Sequence, residues 1–291
     1  MDNKMMRDIK DTVTLSNGVK MPGFGFGVWQ ITKGDTAESV KMAIKAGYRN
    51  IDTAAAYQNE KEVGEGIHQA MAELGITREE LFISTKLWND HRGYEMAKEA
   101  IETSLANLNI GYIDLYMLHW PAVEKWHSDW RKINADTWKA CEEYYDRGLL
   151  KSLGVANYLK HHVQALCEDV RIWPMVNQIE YHPGFGQVES TKYCQENGIV
   201  VEAWSPLGGG EVLRNKELKK LAEKYGKDTA QICLRWLLQK NIVPLPKSTH
   251  EERIITNAKV FDFELTDEDM QIIDKIPYCG GMRFQPDEAK S

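Results

Sequence analysis

The chain has 291 residues, 43% hydrophobic and 27% charged, which is ordinary usage for a soluble globular protein. Its formal net charge of −7 argues against a general nucleic-acid binder, which needs a basic face for phosphate contacts. No apolar run reaches the roughly 18 residues needed to span a membrane, and the charged opening MDNKMMRDIK lacks the apolar core of a signal peptide. The five cysteines, Cys141, Cys167, Cys194, Cys233 and Cys279, form no CxxC pair and are odd in number; reduced thiols in a cytoplasmic protein are expected.

Taken in chain order, a β-hairpin comes first. TVTL and VKMP flank Ser16-Asn17-Gly18, and Asn-Gly is a strong hairpin signal. Short apolar runs then alternate with amphipathic stretches. The runs are FGFGVW (24–29), YRNID (48–52), LFISTK (81–86), IDLYMLH (113–119), LLKSLGVA (149–156), PMVNQIE (174–180), GIVVEAW (198–204) and NIVPLP (241–246). TAESVKMAIKAG, residues 91–109, ADTWKACEEYYDRG and YGKDTAQICLRWLLQKN carry helical periodicity between them. Strands alternating with helices imply βαβ units and a parallel sheet, and eight units close a (β/α)8 TIM barrel. The rival is an open doubly wound sheet, which would carry GxGxxG after its first strand; Gly-Phe-Gly-Phe-Gly at 23–27 has the wrong spacing. With no linker in view, residues 1–291 are expected to form a single barrel domain.

Barrel active sites lie at the C-terminal strand ends. The second run ends in Asp52, the third in Lys86 and the fourth in His119-Trp120, while Tyr57 follows the second run closely. Singly these are a helix cap, a solvated lysine, a turn histidine and a packing tyrosine. Together they suit proton donation to a carbonyl oxygen. A tyrosine, ordinarily near pKa 10, is brought toward neutrality by an ammonium, and that ammonium is kept charged by a carboxylate.

GFGVW (25–29), DTAAAYQNE (52–60), STKLWN (84–89), DLYMLHWP (114–121), GVAN (154–157), NQIEYHP (177–183), AWSPLGGG (203–210) and LPKST (245–249), with Arg253 and Asn257 beyond, occur in one order along the chain. In this the chain resembles the aldo-keto reductase superfamily, and most nearly its bacterial-type 2,5-diketogluconate reductase group. The resemblance implies a catalytic tetrad of Asp52, Tyr57, Lys86 and His119, with Tyr57 as general acid and NADPH as hydride donor to an aldehyde or ketone. It implies cofactor contacts from Val28, Trp29, Asp52, Asn157, Gln178, Trp204, Ser205, Leu207, Lys247, Ser248, Thr249, Arg253 and Asn257. Asn157 and Gln178 would hold the nicotinamide carboxamide, and Trp204 would stack on the ring. Lysine, arginine and hydroxyls at 247–253 favour a 2′-phosphate, hence NADPH over NADH. The chain departs from the family pattern at Ala156, where serine is frequent, at Trp204, where tyrosine is usual, and at Thr256, where an acidic residue is.

Trp29, Tyr57, Trp88, His119 and Trp120 are the expected substrate contacts. Trp126 and Trp130 are expected to extend this aromatic wall, and the short tail PYCGGMRFQPDEAKS (277–291) to leave the site fairly open. His161-His162 reads as an exposed helix start, His182-Pro183 as a loop-shaping pair, and no metal-ligand cluster stands out. The expected partner is a small-molecule carbonyl compound, and the expected state a monomer or weak oligomer. The alternative reading is a non-catalytic nucleotide-binding regulatory barrel.

Overall fold

A computed structural model describes residues 6–289; the first five residues of the charged opening and the last two of the tail lie outside it. β1 (Thr12–Thr14) and β2 (Lys20–Pro22) form the antiparallel hairpin, with Val13 opposite Met21. Its loop is Ser16–Gly18, one residue longer than an Asn-Gly turn. Leu15 and Val19 close it, Leu15 N–H donating to Val19 O at 2.9 Å, and Gly18 takes the left-handed φ of +87°. Asn17 turns outward to donate to the Lys151 carbonyl at 2.9 Å, which ties the hairpin to the barrel.

Eight strands follow, each parallel to the next: β3 (Gly25–Gly27), β4 (Asn50–Asp52), β5 (Phe82–Leu87), β6 (Leu115–Leu118), β7 (Leu153–Ala156), β8 (Val176–Glu180), β9 (Val200–Trp204) and β10 (Ile242–Pro244). They are shorter than the apolar runs. The start of LLKSLGVA, for instance, makes only an isolated bridge from Leu150 to Ile113, because the run is still crossing from the helical layer to the barrel wall. The intervening helices are α1 (Lys33–Lys45), α2 (Glu60–Leu74), α3 (Tyr94–Leu108), α4 (Trp130–Asp146), α5 (Lys160–Asp169) and α6 (Val188–Glu196). Then come α7 (Lys216–Tyr225), α8 (Thr229–Gln239), α9 (Glu251–Asn257) and α10 (Asp267–Asp274). The sequence pattern started α3 at 91, but 89–91 is a 3₁₀ turn and Gly93 delays the helix. Caps mark several ends: Asn215 accepts from Glu217 and Leu218 N–H, and Asp228 and Gln231 form a reciprocal box.

The wall closes where β3 meets the chain after β10: Gly27 N–H donates to Pro246 O at 3.1 Å. That contact excludes the open sheet. It also explains the run that failed as a dinucleotide fingerprint. Phe24 and Phe26 pack on Tyr48 in the helix-facing core, while a Cβ on Gly25 would lie 2.5 Å from the Leu245 side chain and 2.9 Å from Asn50 Nδ2. The glycine makes room for the barrel interior.

That interior is stratified. At the bottom, Leu15 and Met21 of the hairpin pack with Phe82, Leu115, Met117, Met175, Val176, Val200 and Val243 into an apolar plug. Toward the strand C-termini the buried side chains become polar: Asn50, Asp52, Ser84, Lys86, Gln178 and Glu202. Among the described residues no helix is long and apolar enough to cross a membrane.

Candidate active site

Asp52 is the last residue of β4, Lys86 lies near the end of β5 and His119 follows β6. Tyr57 ends a 3₁₀ turn, Ala55–Tyr57, that Gln58 stops in a left-handed conformation. Ala54 is fully buried, so this turn runs close to its neighbours and brings the phenol back over β5. Lys86 Nζ donates to both Asp52 carboxylate oxygens at 2.8 Å and to the Thr53 carbonyl at 2.9 Å, and stands 3.4 Å from Tyr57 Oη. Asp52 Oδ1 also accepts from Ser84 Oγ and Gln178 Nε2, each at 2.9 Å. The His119 ring meets Tyr57 edge-on at 5.7 Å and Trp88 at 5.1 Å.

The electrostatics follow from burial. Desolvation works to discharge Lys86, but the Asp52 carboxylate and the neighbouring phenol outweigh it, and the lysine's pKa is raised: it is an ammonium. Desolvation also governs Tyr57. It raises the phenol above its ordinary value of 10, and the opposing pull of Lys86 only partly offsets this. The expectation that Lys86 brings Tyr57 toward neutrality is therefore corrected; the phenol keeps its proton. Burial, then the Lys86 charge, push His119 well below 6.5, so its imidazole is neutral. His119 Nδ1 and Asn89 Oδ1 are buried without a hydrogen-bond partner among the described residues, although buried polar atoms are nearly always paired.

These groups open into a cleft of 1710 Å³, well above the 300–1,000 Å³ typical of a drug-sized ligand. Every expected site residue lines it except two. Lys86 sits fully buried behind Asp52, and Val28 has its side chain in the helix-facing core, its carbonyl accepting from Asn59 Nδ2 and Ile31 N–H and its own N–H donating to the Asp52 carbonyl. One lobe gathers Asn157, Gln178, Trp204, Ser205, Leu207, Gly209 and Gly210; another gathers Lys247, Ser248, Thr249, Arg253, Thr256 and Asn257, with Glu252. Neither Lys247 nor Arg253 has an acidic partner among the described residues, so two cations face the cleft uncompensated. Among the described residues, four of the seven non-glycine residues with positive φ, Gln30, Gln58, Asn157 and Ser205, line the cleft; such strain concentrates at ligand clamps.

The family model for the aldo/keto reductase family matches residues 18–277. The chain belongs to this family. A glyoxal reductase of Bacillus subtilis is 48% identical over 98% of this chain and 99% of its own. A 9,11-endoperoxide prostaglandin H2 reductase of Trypanosoma cruzi is 44% identical, over 91% and 90%. Among solved structures, an aldo-keto reductase from a Medee basin deep-sea metagenome library superposes with a TM-score of 0.89 at 40% identity, over 96% of this chain and all of that one. A Bombyx mori aldo-keto reductase in complex with NADP gives 0.84 at 36%, over 91% and 92%.

Within this aldo/keto reductase barrel, one departure from the family pattern, Trp204, acquires geometry. Trp204 donates its indole N–H to Asn157 Oδ1 at 2.8 Å, and Asn157 Nδ2 donates to the His119 carbonyl at 3.0 Å. The indole thus fixes the Asn157 amide. The aromatic wall also differs from expectation. Trp29, Trp88 and Trp120 line the cleft, but Trp126, which donates to the Glu288 carbonyl, and Trp130, which packs beside His162, are not part of its lining. Their place is taken by Phe284, 5.7 Å from Trp120 and 6.2 Å from Trp204.

Phe284 belongs to the tail that was expected to leave the site open. The tail is instead strapped down on both sides of it. Met282 N–H donates to buried Glu180 Oε1 at 2.6 Å, and Gly281, at φ +94°, lies so near that a Cβ would stand 2.2 Å from His182 Nε2. Downstream, Asp287 Oδ1 is 2.9 Å from His161 Nε2 and 3.1 Å from His162 Nε2. This trio has metal-like spacing, but His162 Nδ1 accepts the Leu159 N–H. A neutral imidazole then carries its proton on Nε2 and donates it to Asp287, so the trio is a latch. Half-exposed aromatics in a polar tail carry no periodic signal, which is why Phe284 escaped the sequence reading.

Proposed function

We propose that this protein is an NADPH-dependent carbonyl reductase, one barrel domain, which reduces an aldehyde or ketone to the alcohol with Tyr57 as general acid. The observation that carries the reading is Lys86 Nζ held between both Asp52 oxygens and the Tyr57 hydroxyl at the mouth of a large cleft. When bound, the nicotinamide would supply a hydride to the carbonyl carbon.

The chain's own groups handle the oxygen. As negative charge gathers there, Tyr57 gives it the phenolic proton, and the phenolate left behind is stabilised by the Lys86 ammonium. Asp52 holds that ammonium in its charged form. Neutral His119, beside Tyr57, can offer one N–H to orient the substrate oxygen without taking the proton itself. Trp29, Trp88, Trp120 and Phe284 exclude water around the reacting carbon. The residues present fit the cofactor: Asn157 and Gln178 offer amides, Trp204 a stacking face, and the unpaired cations Lys247 and Arg253 suit a phosphate monoester. The formal net charge of −7 suits a cytoplasmic protein acting on small molecules rather than on nucleic acid.

A panel of aldehydes and ketones with NADPH, followed by nicotinamide absorbance, tests the reading. Tyr57→Phe should remain folded and lose activity by about 10²–10⁴-fold, the usual worth of a general acid. Near-full activity in Tyr57→Phe removes the assignment, and cofactor binding without turnover by the natural chain favours a regulatory barrel. Because the phenol's pKa is raised, reduction should hold steady through neutral pH and fall only in strong alkali, whereas alcohol oxidation should climb with pH. Arg253→Ala should weaken NADPH binding about tenfold and leave NADH unchanged; equal weakening of both would mean the cation does not read the phosphate.

A further inference from the structure

The interior of the barrel holds a second carboxylate that the mechanism has not used. Glu202 lies on β9, two residues before Trp204 and on the same face, and is completely buried. Its Oε1 accepts from Asn50 Nδ2 at 3.2 Å and its Oε2 from Gln178 Nε2 at 3.0 Å. The same Gln178 nitrogen donates to Asp52 Oδ1 at 2.9 Å. An amide nitrogen has two hydrogens and no more. Both are therefore claimed by carboxylates on opposite sides, Asp52 on β4 and Glu202 on β9. The amide oxygen accepts from no described residue, on a side chain that lines the cleft.

We propose that Glu202 is a positioning residue which, acting with Asp52, locks the Gln178 amide so that its oxygen faces the nicotinamide carboxamide as an acceptor. This rests on the reading of the cleft as a nicotinamide site. A free glutamine amide can flip and present either end, since its oxygen and nitrogen are nearly the same size. Here a flip would point the oxygen at two carboxylates, so the acceptor orientation is enforced electrostatically. The consequence is selectivity: a carboxamide NH₂ is recognised, and an acetyl group of the same shape is not.

Glu202's surroundings bear on its charge. Asp52 and Lys86 are the charged groups facing it, Gln178 and Asn50 supply amides, and β10 on its other side contributes Ile242, Val243 and Pro244. Desolvation, then the Asp52 carboxylate, raise its pKa to about 7, so it changes charge within the working range.

The test compares binding of NADPH with that of its 3-acetylpyridine analogue, which replaces the carboxamide NH₂ by a methyl group, by quenching of intrinsic tryptophan fluorescence in the full-length protein. The natural chain should prefer NADPH about tenfold at pH 8, the worth of one hydrogen bond. Glu202→Met should reduce the preference to less than about threefold, while Glu202→Gln, whose carbonyl oxygen can still accept, should largely restore it. A merely structural role would weaken both ligands alike and leave the ratio unchanged; that result in a folded Glu202→Met overturns the proposal. If Glu202→Met does not fold, Glu202→Ala, which removes the acceptor without filling its space, takes its place: its preference should likewise fall below about threefold, and a ratio unchanged from the natural chain overturns the proposal. Failure of the natural chain to bind either dinucleotide would instead remove the cofactor reading itself.

Discussion

The two ends of this barrel are built from the same eight strands and solve opposite problems. At the floor, Leu15 and Met21 of the hairpin meet Phe82, Val176, Val200 and their neighbours in a plug without a charged side chain. At the mouth, a few residues further along those strands, Asp52, Lys86, Gln178 and Glu202 are buried together and Tyr57 and His119 stand over them. Burial at the floor stabilises through apolar area; burial at the mouth costs desolvation and is tolerable only because each charge is bonded. Holding charges in place at the mouth while the floor stays rigid is what a barrel enzyme's division of labour requires.

Breaking the comparison starts with its most expensive element. Lys86→Met leaves the Asp52 carboxylate buried without its cation, and should cost about 3–5 kcal/mol of stability as well as activity. Unfolding in urea reads the loss, and an unchanged midpoint and slope would show that the Lys86–Asp52 pair carries no net stability. Met21→Ala probes the floor: a fully buried methionine lost from the plug should cost about 3 kcal/mol, with kcat and KM of the folded fraction unaltered. An altered KM would mean that the floor is coupled to the site.

Glu202 sharpens the contrast, because it belongs to the mouth layer while its register partner on β10, Val243, belongs to the floor plug. Its folded-state pKa, raised to about 7, exceeds its value in an unfolded chain, near 4.5. Its contribution to stability is therefore complete below about pH 4.5 and is lost as pH rises through 7. Glu202→Gln should match the natural chain at pH 5 and gain on it by up to about 3 kcal/mol at pH 8. Melting temperatures at the two pH values decide it, and a constant difference would show that Glu202 does not titrate in this window.

Legibility in the sequence followed the same division. The strand–helix rhythm and the gathering of titratable groups at the strand ends were plain, because periodicity and position carry both. Asp52, Lys86 and His119 fall where their runs stop, and Tyr57 where the next turn begins. What escaped depends on distances between segments far apart in the chain. Phe284 reaches Trp120 across 164 positions only because Glu180 and the His161–Asp287–His162 latch hold the tail. The net pKa of Tyr57 turns on whether burial or Lys86 prevails, a balance no spacing encodes. Glu202 did leave a trace. It alternates with Trp204 in VVEAW, so a residue expected to face the cleft placed a carboxylate on the barrel axis two positions below it.

The seam of the barrel has a mechanical consequence. Seven of the eight junctions between neighbouring strands are laddered, but among the described residues β3 and the segment after β10 are joined through one backbone bond, from Gly27 to Pro246. The cleft is lined on both sides of that joint, by Gly27, Trp29 and Gln30 on one lip and Leu245 to Thr249 on the other. A ligand gripped by both lips acts as a staple across the weakest joint in the wall. Occupancy would then be felt as a stiffer cylinder, and amide exchange at Gly27 would slow in proportion to the time the staple is in place.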